Sequence, residues 1–430
     1  MKPDRPAFVP RRPRLLALLL GLFSVSALAV DGPLPGASVE SLLEVAHNRN
    51  PDFAAASHEA QAAAERIYPA GSLPDPTLRT ELRDITNQGT DSPPGLLPSR
   101  TGSTKYTLIQ PLPFWGKRDL KRGMAEAEAR QASGRASQSW NELAADIKTL
   151  YAQYYVLAET GKLTRELLDL SGRLEKISRV RYASGLVPQQ DVIRAQLEQT
   201  AMRSELVAIG NERHHAVVKL NALLNRPAMA PLAEPLALRP LPPQARLDYS
   251  ALEARLRLHN PQLFEAEERV VAATKNRALV QRNRYPDFNL GISPIQVGNK
   301  INEWELMVEI NIPLQQESRR AQEREAQSVL SAAESRREST QNQLLAGLAE
   351  NLSAFEAARE VESLTRDNFL PQAELSFKSA LAGYENGKVD FTALLDAQRQ
   401  IRKARLDLLK AQADEQTRLA EMERLLGEDL

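Results

Sequence analysis

The sequence predicts a mainly α-helical chain, written twice, in which each copy places two amphipathic β-strands ahead of one very long helix. Three observations lead there. The 430 residues are 42% hydrophobic but only 5% aromatic and are filled by Ala, Leu, Gln, Glu and Arg, a mixture that favours long helices over ordinary globules. The stretch "YASGLVPQQDVIRAQ" from Tyr182 returns nearly half a chain later as "YENGKVDFTALLDAQ" from Tyr384. Apolar residues recur alternately four and three apart in long stretches, whereas short segments alternate at every second residue.

At the N-terminus, residues 1–29 read as an export signal. Lys2, Arg5, Arg11, Arg12 and Arg14 precede the apolar run "LLALLLGLFSVSALAV", and Ala27-Leu28-Ala29 supplies the small-x-small pattern for cleavage after Ala29. That run is short for a membrane anchor. The formal net charge is +0, and losing the leader turns it mildly acidic. Acids and bases interleave along the helices, so no nucleic-acid surface is expected. With no cysteine there is neither a disulfide nor a thiol for lipidation, and packing or assembly must hold an exported chain together. No later apolar run is long enough for a membrane helix. The mature chain is therefore either soluble or meets a membrane as β-strands.

The first copy is expected over residues 30–228 and the second over 246–430. Asn50-Pro51 recurs as Asn260-Pro261, "LPDPTL" from Leu73 as "YPDFNL" from Tyr285, and "ALLNRP" from Ala222 as "RLLGED" from Arg424. Pro113 and Pro313 each close a strand-like run. A Pro-rich linker, 229–245, separates the copies and cannot continue a helix. In the first copy, 119–182 contains no proline. Leu143, Ile147, Leu150, Tyr154 and Leu157 form one coiled-coil seam, and Leu163, Leu167, Leu170, Leu174 and Ile177 form another. Such a helix would run ~95 Å, far beyond the width of a compact domain. Its counterpart spans 317–384, with a kink expected at Pro371. Pro188 suits the first turn of the returning helix.

The strands follow the other period. Leu78, Thr80 and Leu82 oppose Arg79, Glu81 and Arg83. Phe288, Leu290 and Ile292 oppose Asn289, Gly291 and Ser293. Trp304, Leu306, Val308, Ile310 and Ile312 oppose Glu305, Met307, Glu309 and Asn311. "KYTLIQPLP" follows the pattern less well, through Tyr106 and Leu108. Strands with one apolar and one charged face suit an outer-membrane barrel, with Tyr106, Trp115 and Trp304 in its aromatic girdle. They also suit two hairpins on a water-soluble core, as in a periplasmic coiled-coil scaffold or adaptor. Export, the missing cysteine and the long helices favour the barrel. Four strands cannot close one, and a bilayer tolerates no open edge, so the sheet must be shared. Three copies would supply twelve strands, with the helices continuing the wall as an α-helical cylinder.

On these residues the chain resembles the TolC family, the trimeric outer-membrane exit ducts of bacterial efflux pumps and type I secretion. Family turns read close to "NVGL…TDV…A", and "ASGLVPQQDVIRA" matches at Gly185, Leu186, Val187, Asp191, Val192 and Ala195; Ser184 departs from the usual Val. The second turn matches at Tyr384, Gly387, Leu395, Asp396 and Ala397. Within the family it is most similar to the outer-membrane components of heavy-metal efflux systems, the CzcC and CusC type. "SLPDPTL", "QPLPFWGKRDLKRGMAEAEA" and "LPQAELSFKSALAGYENGKVDFTALLDAQRQ" carry that likeness. CusC-like members are often lipoproteins, which this chain is not expected to be.

The resemblance implies a TolC-like duct, a homotrimer in the outer membrane, joined through a periplasmic adaptor protein to an inner-membrane RND-type pump. Heavy-metal cations lead as cargo, with drugs or other organic compounds as the alternative. It implies adaptor docking at Tyr182, Gly185, Leu186, Val187, Tyr384 and Gly387, and an aperture of acids past the second turn. Asp396 matches one aperture position, Ala393 occupies the other, and Asp390 and Asp191 are lesser candidates. The two glycines also have a purely structural reason, a helix reversal with positive φ. Asp396 likewise could be a solvated acid or pair with Arg399 or Arg402. No cofactor or resident metal is expected. His214-His215 point in different directions on a helix. No P-loop, H-E-x-x-H or G-x-S-x-G occurs, so catalysis is not expected.

Overall fold

The computed structural model describes residues 34–85, 96–99 and 101–430. The expected leader, 1–29, lies outside them. The elements run α1 (Val39–Arg49), α2 (Pro51–Glu65), a short α3 (Ile67–Gly71), β1 (Thr77–Arg83), β2 (Ser103–Leu112), α4 (Lys117–Ala183) and α5 (Gln189–Leu223). They continue through α6 (Tyr249–His259), α7 (Pro261–Arg282), β3 (Phe288–Val297), β4 (Lys300–Ile310), α8 (Gln316–Leu364), α9 (Leu370–Glu385) and α10 (Phe391–Leu426). Helix α4 holds 67 residues, about 100 Å at 1.5 Å per residue. Both seams read from its sequence face neighbours: Leu143, Ile147, Tyr154, Leu163, Leu167 and Leu174 are buried, and the rest pack against them.

The helices stand in four adjacent columns. Helix α4 is the second column unbroken, and α8 with α9 forms the fourth. The first and third are each spliced from two helices. Asn50 makes the first splice. Its Oδ1 accepts from Phe53 N at 2.9 Å, capping α2, while its Nδ2 donates at 2.9 Å to Leu223 O at the end of α5. Asn260 repeats the joint: Oδ1 accepts from Leu263 N at 2.6 Å, and Nδ2 donates at 2.7 Å to Leu425 O of α10. Pro51 and Pro261 follow at the first helical position, where a missing N–H costs nothing. The arriving helices end on residues of positive φ, Asn225 (50°) and Gly427 (80°). At Gly427 a Cβ would also lie 2.6 Å from His259 O. The echoes Asn-Pro and "LLN"/"LLG" are thus the two sides of one joint.

Around each splice lies an apolar core. Leu42, Ile147, Tyr151, Leu220 and Leu224 form one, and Leu252, Leu256, Leu348, Phe355 and Met422 the other. Full burial of each such side chain stabilises by ~1.5–3 kcal/mol. The Pro-rich segment between α5 and α6 lies along α4, where Tyr151 OH sits 2.9 Å from both Ala37 O and Ala237 O. Below it, buried Lys148 bonds Glu423 at 2.7 Å and Asp429 at 2.5 Å, while Arg239 reaches Glu423 at 3.0 Å. Each buried charge has an opposite partner, the condition under which such a group is tolerated.

The strands make one antiparallel sheet in the order β1-β2-β3-β4. Opposed residues share a face, so Leu78, Leu108, Ile292 and Leu306 form a row across all four strands. Trp304, Val308 and Ile310 extend that face, and all are exposed. The other face is mixed: Lys105 pairs with Glu305 and Thr107 Oγ1 lies 2.9 Å from Ser293 Oγ, beside the buried Ile109 and Ile295. Among the described residues, the outer edges of β1 and β4 have no strand partner.

Four expectations change in detail. "KYTLIQPLP" belongs to a full ten-residue strand, β2, because its turn-side residues Ser103 and Thr104 continue the ladder with β1. Strand β4 starts at Lys300, before Trp304, and ends ahead of Ile312. Pro188 is the cap before α5 rather than part of its first turn, its ψ of 153° being extended. The kink expected at Pro371 is a π-helical turn, Thr365–Phe369. It lengthens the backbone loop at the carbonyls the proline ring would strike, and so keeps the helix path continuous.

Candidate functional site: the hairpin tips

Two helical hairpins, α4–α5 and α9–α10, turn at the end of the molecule far from the sheet. Both close identically. Leu186 N donates to Arg181 O at 2.8 Å and Gly185 N to Tyr182 O at 2.9 Å; Lys388 N donates to Gly383 O at 2.8 Å and Gly387 N to Tyr384 O at 3.1 Å. Gly185 and Gly387 have φ of 70° and 72°. Nothing lies within 4 Å of a Cβ built on Gly185, so positive φ alone calls for glycine there. At Gly387 the Arg181 guanidinium would also be met at 3.1 Å.

The two tips are equal in backbone and unequal in surroundings. Tyr182 is 45% exposed and Tyr384 1% exposed. Tyr384 packs among Leu174, Ala195, Phe391 and Leu394, and its hydroxyl lies 2.7 Å from Ser178 Oγ on α4. The Arg181 guanidinium lies 5.0 Å over the Tyr384 ring and donates to the Tyr384 carbonyl. Burial pushes the Tyr384 phenol up, against the Ser178 hydrogen bond. The second tip is therefore fastened to the first hairpin. Of the docking candidates, Leu186 at 67% and Tyr182 present apolar surface, Val187 is half-buried, and Tyr384 presents none in the single chain.

The acids take three different places. Asp390 caps α10, accepting from Ala393 N at 2.8 Å. Asp191 is buried near Tyr384 and Arg181, and desolvation raises its carboxyl above the ordinary range, with Asp390 adding to the rise and Arg194 and Arg181 opposing it. Asp396 lies on the exposed face of α10 with Ala393. Its Oδ1 is 4.0 Å from Arg399, which is itself engaged with Glu198 at 3.1 Å, while Arg402 pairs with Glu205. Such a face can line a pore and repel or attract ions, and it offers no nucleophile with an adjoining base. Among the described residues no group of three or more His, Cys, Asp or Glu is placed to hold a metal ion. Sequence reasoning missed Ser178 and Arg181. Their one sequence signal is the contrast between the motifs: Tyr182 follows Arg181, whereas Tyr384 follows Gly383, where a Cβ would strike Val389.

Two unbroken or spliced pairs of long helices, a reversal at their far end and a sheet with one apolar face are the elements of a membrane duct. Residues 42–226 and 252–428 match the outer membrane efflux protein family. The chain belongs to that family. It is 25% identical over 406 residues to the cobalt-zinc-cadmium resistance protein CzcC of Cupriavidus metallidurans, covering 92% of this chain and 90% of the relative. Among solved structures it is similar in fold to CusC (TM-score 0.77, 18% identity, 91% of this chain and 92% of that one). VceC of Vibrio cholerae is another (TM-score 0.76, 19% identity, 91% and 96%). The family member is thus an outer membrane efflux channel, with a TolC-like fold and a periplasmic helical part, and it is a passive channel rather than an enzyme.

Proposed function

We propose that three copies of this chain form one duct through the outer membrane, fed by an inner-membrane RND-type pump through a periplasmic adaptor. The observation that carries this reading is the pair of open edges on β1 and β4, flanking an apolar face. Strand order alternates, so β4 of one copy meets β1 of the next antiparallel, and closing the ring satisfies every edge group in a solvent that offers none. The outermost helix columns support the same reading. Ile193, Leu197 and Val207 are exposed on α5, and Val361, Leu364 and Leu375 on α8 and α9, so each outer column carries apolar surface for a neighbour.

The tips, through Tyr182, Gly185, Leu186 and Val187, are the surface for the adaptor, with Gly387 shaping the second turn. Asp396 would form a ring of three carboxylates that favours cations. The leader would be cleaved after Ala29 and the chain left without lipid. Heavy-metal cations are the proposed cargo, in keeping with the relative named for cobalt, zinc and cadmium resistance. The test is a deletion strain challenged with zinc, cobalt, cadmium, copper and silver, and separately with drugs and detergents. The reading expects lost metal tolerance. Unchanged metal tolerance with new drug sensitivity would move the cargo to organic compounds.

A further inference from the structure

Where the sheet meets α4, the outer face of β2 and β3 runs down into a groove of about 550 Å³, within the ~300–1,000 Å³ of small-molecule sites. Its walls are Leu73, Leu112, Trp115, Phe288 and Leu290, with Arg118 at its lower rim. The apolar wall is continuous with the row of exposed side chains above it, since Leu290 opposes Val308 and Phe288 opposes Ile310 on that face. Trp115 is 73% exposed, yet its ring meets Phe114 edge-on at 5.3 Å and Phe288 at 6.0 Å, and Arg282 holds its carbonyl at 2.7 Å. A large apolar ring is thus held open to the surroundings by a rigid shelf.

The rim changes character within one helical turn. Arg118 Nε donates to Gly71 O at 2.9 Å, while Arg122, one turn on, lies between Asp119 at 3.7 Å and Glu126 at 3.6 Å. Asp119, at 75% exposed, lines the groove next to Arg118. An apolar slot with one guanidinium, Arg118, and one carboxylate, Asp119, at its rim matches acyl chain, phosphodiester and ammonium.

We infer that this collar groove holds one glycerophospholipid with an amine headgroup, taken from the leaflet on the helical side of the membrane. The inference rests on the apolar sheet face meeting lipid. Each chain contributes a whole groove, and the lipid fills the step where the sheet narrows into the helical wall.

The test uses the full assembled protein in mild detergent, titrated with dioleoylphosphatidylethanolamine and read by native mass spectrometry. Wild type should retain one lipid per chain, saturably. Trp115→Ala with Arg118→Ala should weaken retention at least tenfold, and Leu306→Ala, elsewhere on the lipid face, should not. A second measurement leaves the groove residues in place and uses a Trp140→Phe/Trp304→Phe background. Trp115 emission should then fall saturably at about one dibrominated phosphatidylethanolamine per chain. Equal retention by the double variant, quenching that never saturates, or preference for lipopolysaccharide would overturn the site. If the same samples keep their assembled mass and conductance, only the lipid site falls and the duct stands.

Discussion

Replacing Asn260 separates the two jobs this side chain performs at the splice of α10 onto α7. Asn260 is 4% exposed, so whatever it leaves unpaired is shielded from water. Asn260→Ser keeps an oxygen for Leu263 N but is too short to reach Leu425 O. Its cost is one buried carbonyl without a donor, about 1–2 kcal/mol. Asn260→Ala also removes the cap, adding about 1 kcal/mol and bringing the total to about 2–3 kcal/mol. Asn50 makes the same pair of bonds, so Asn50→Ser and Asn50→Ala should fall in the same order. The assay is guanidinium unfolding in detergent followed by circular dichroism at 222 nm. Midpoints should rank wild type, then Ser, then Ala at both positions. A Ser variant as stable as wild type would show that the amide bridge contributes nothing, and the splice would have to be explained by packing alone.

Further expectations concern charge and the tips. Burial, with Glu362 nearby, raises the Glu415 carboxyl to about 7, against the pull of Arg359 and Arg366. The folded chain therefore holds a proton that the unfolded chain releases near its ordinary 4.5. This contribution to stability is complete below that value and is lost as pH rises through about 7. Glu415→Gln should accordingly flatten the pH dependence of the unfolding midpoint and be the more stable form at pH 8, by about 3 kcal/mol at most; an unchanged pH profile would contradict the buried acid. Gly185→Ala should cost about 1 kcal/mol from positive φ alone. Gly387→Ala should cost more because it also displaces Arg181, and equal midpoints for the two would remove that contact from the account. Arg181→Ala and Tyr384→Phe should both raise single-channel conductance in planar bilayers by loosening the second tip. Asp396→Ala should raise conductance and weaken cation preference, and an unaltered channel would take Asp396 out of the aperture.

Much of this architecture is legible in local sequence because its elements are long and their periods unmixed. Leu143 to Ile177 announce a seam without help from tertiary context, and Leu306, Val308 and Ile310 announce one face of a strand. The repeated Asn-Pro and Gly signatures mark helix junctions because each meets a backbone requirement that few residues satisfy. What stayed hidden depends on partners distant in sequence. Nothing near Asn50 says that its amide will reach Leu223, and nothing near Lys148 says that Glu423 and Asp429 will neutralise it. Tyr182 and Tyr384 look equivalent in their motifs, yet α4 buries only the second. Pro371 signals trouble for a helix but does not say whether the helix bends or takes in a π turn. The groove beneath Trp115 required the fold, since its walls come from three separate segments.

The most direct measurement is native mass together with conductance on one preparation of the mature protein in mild detergent. Three chains per particle, passing current when inserted into a planar bilayer, is the result expected of a sheet completed by its neighbours. A stable single chain that carries no current would contradict it.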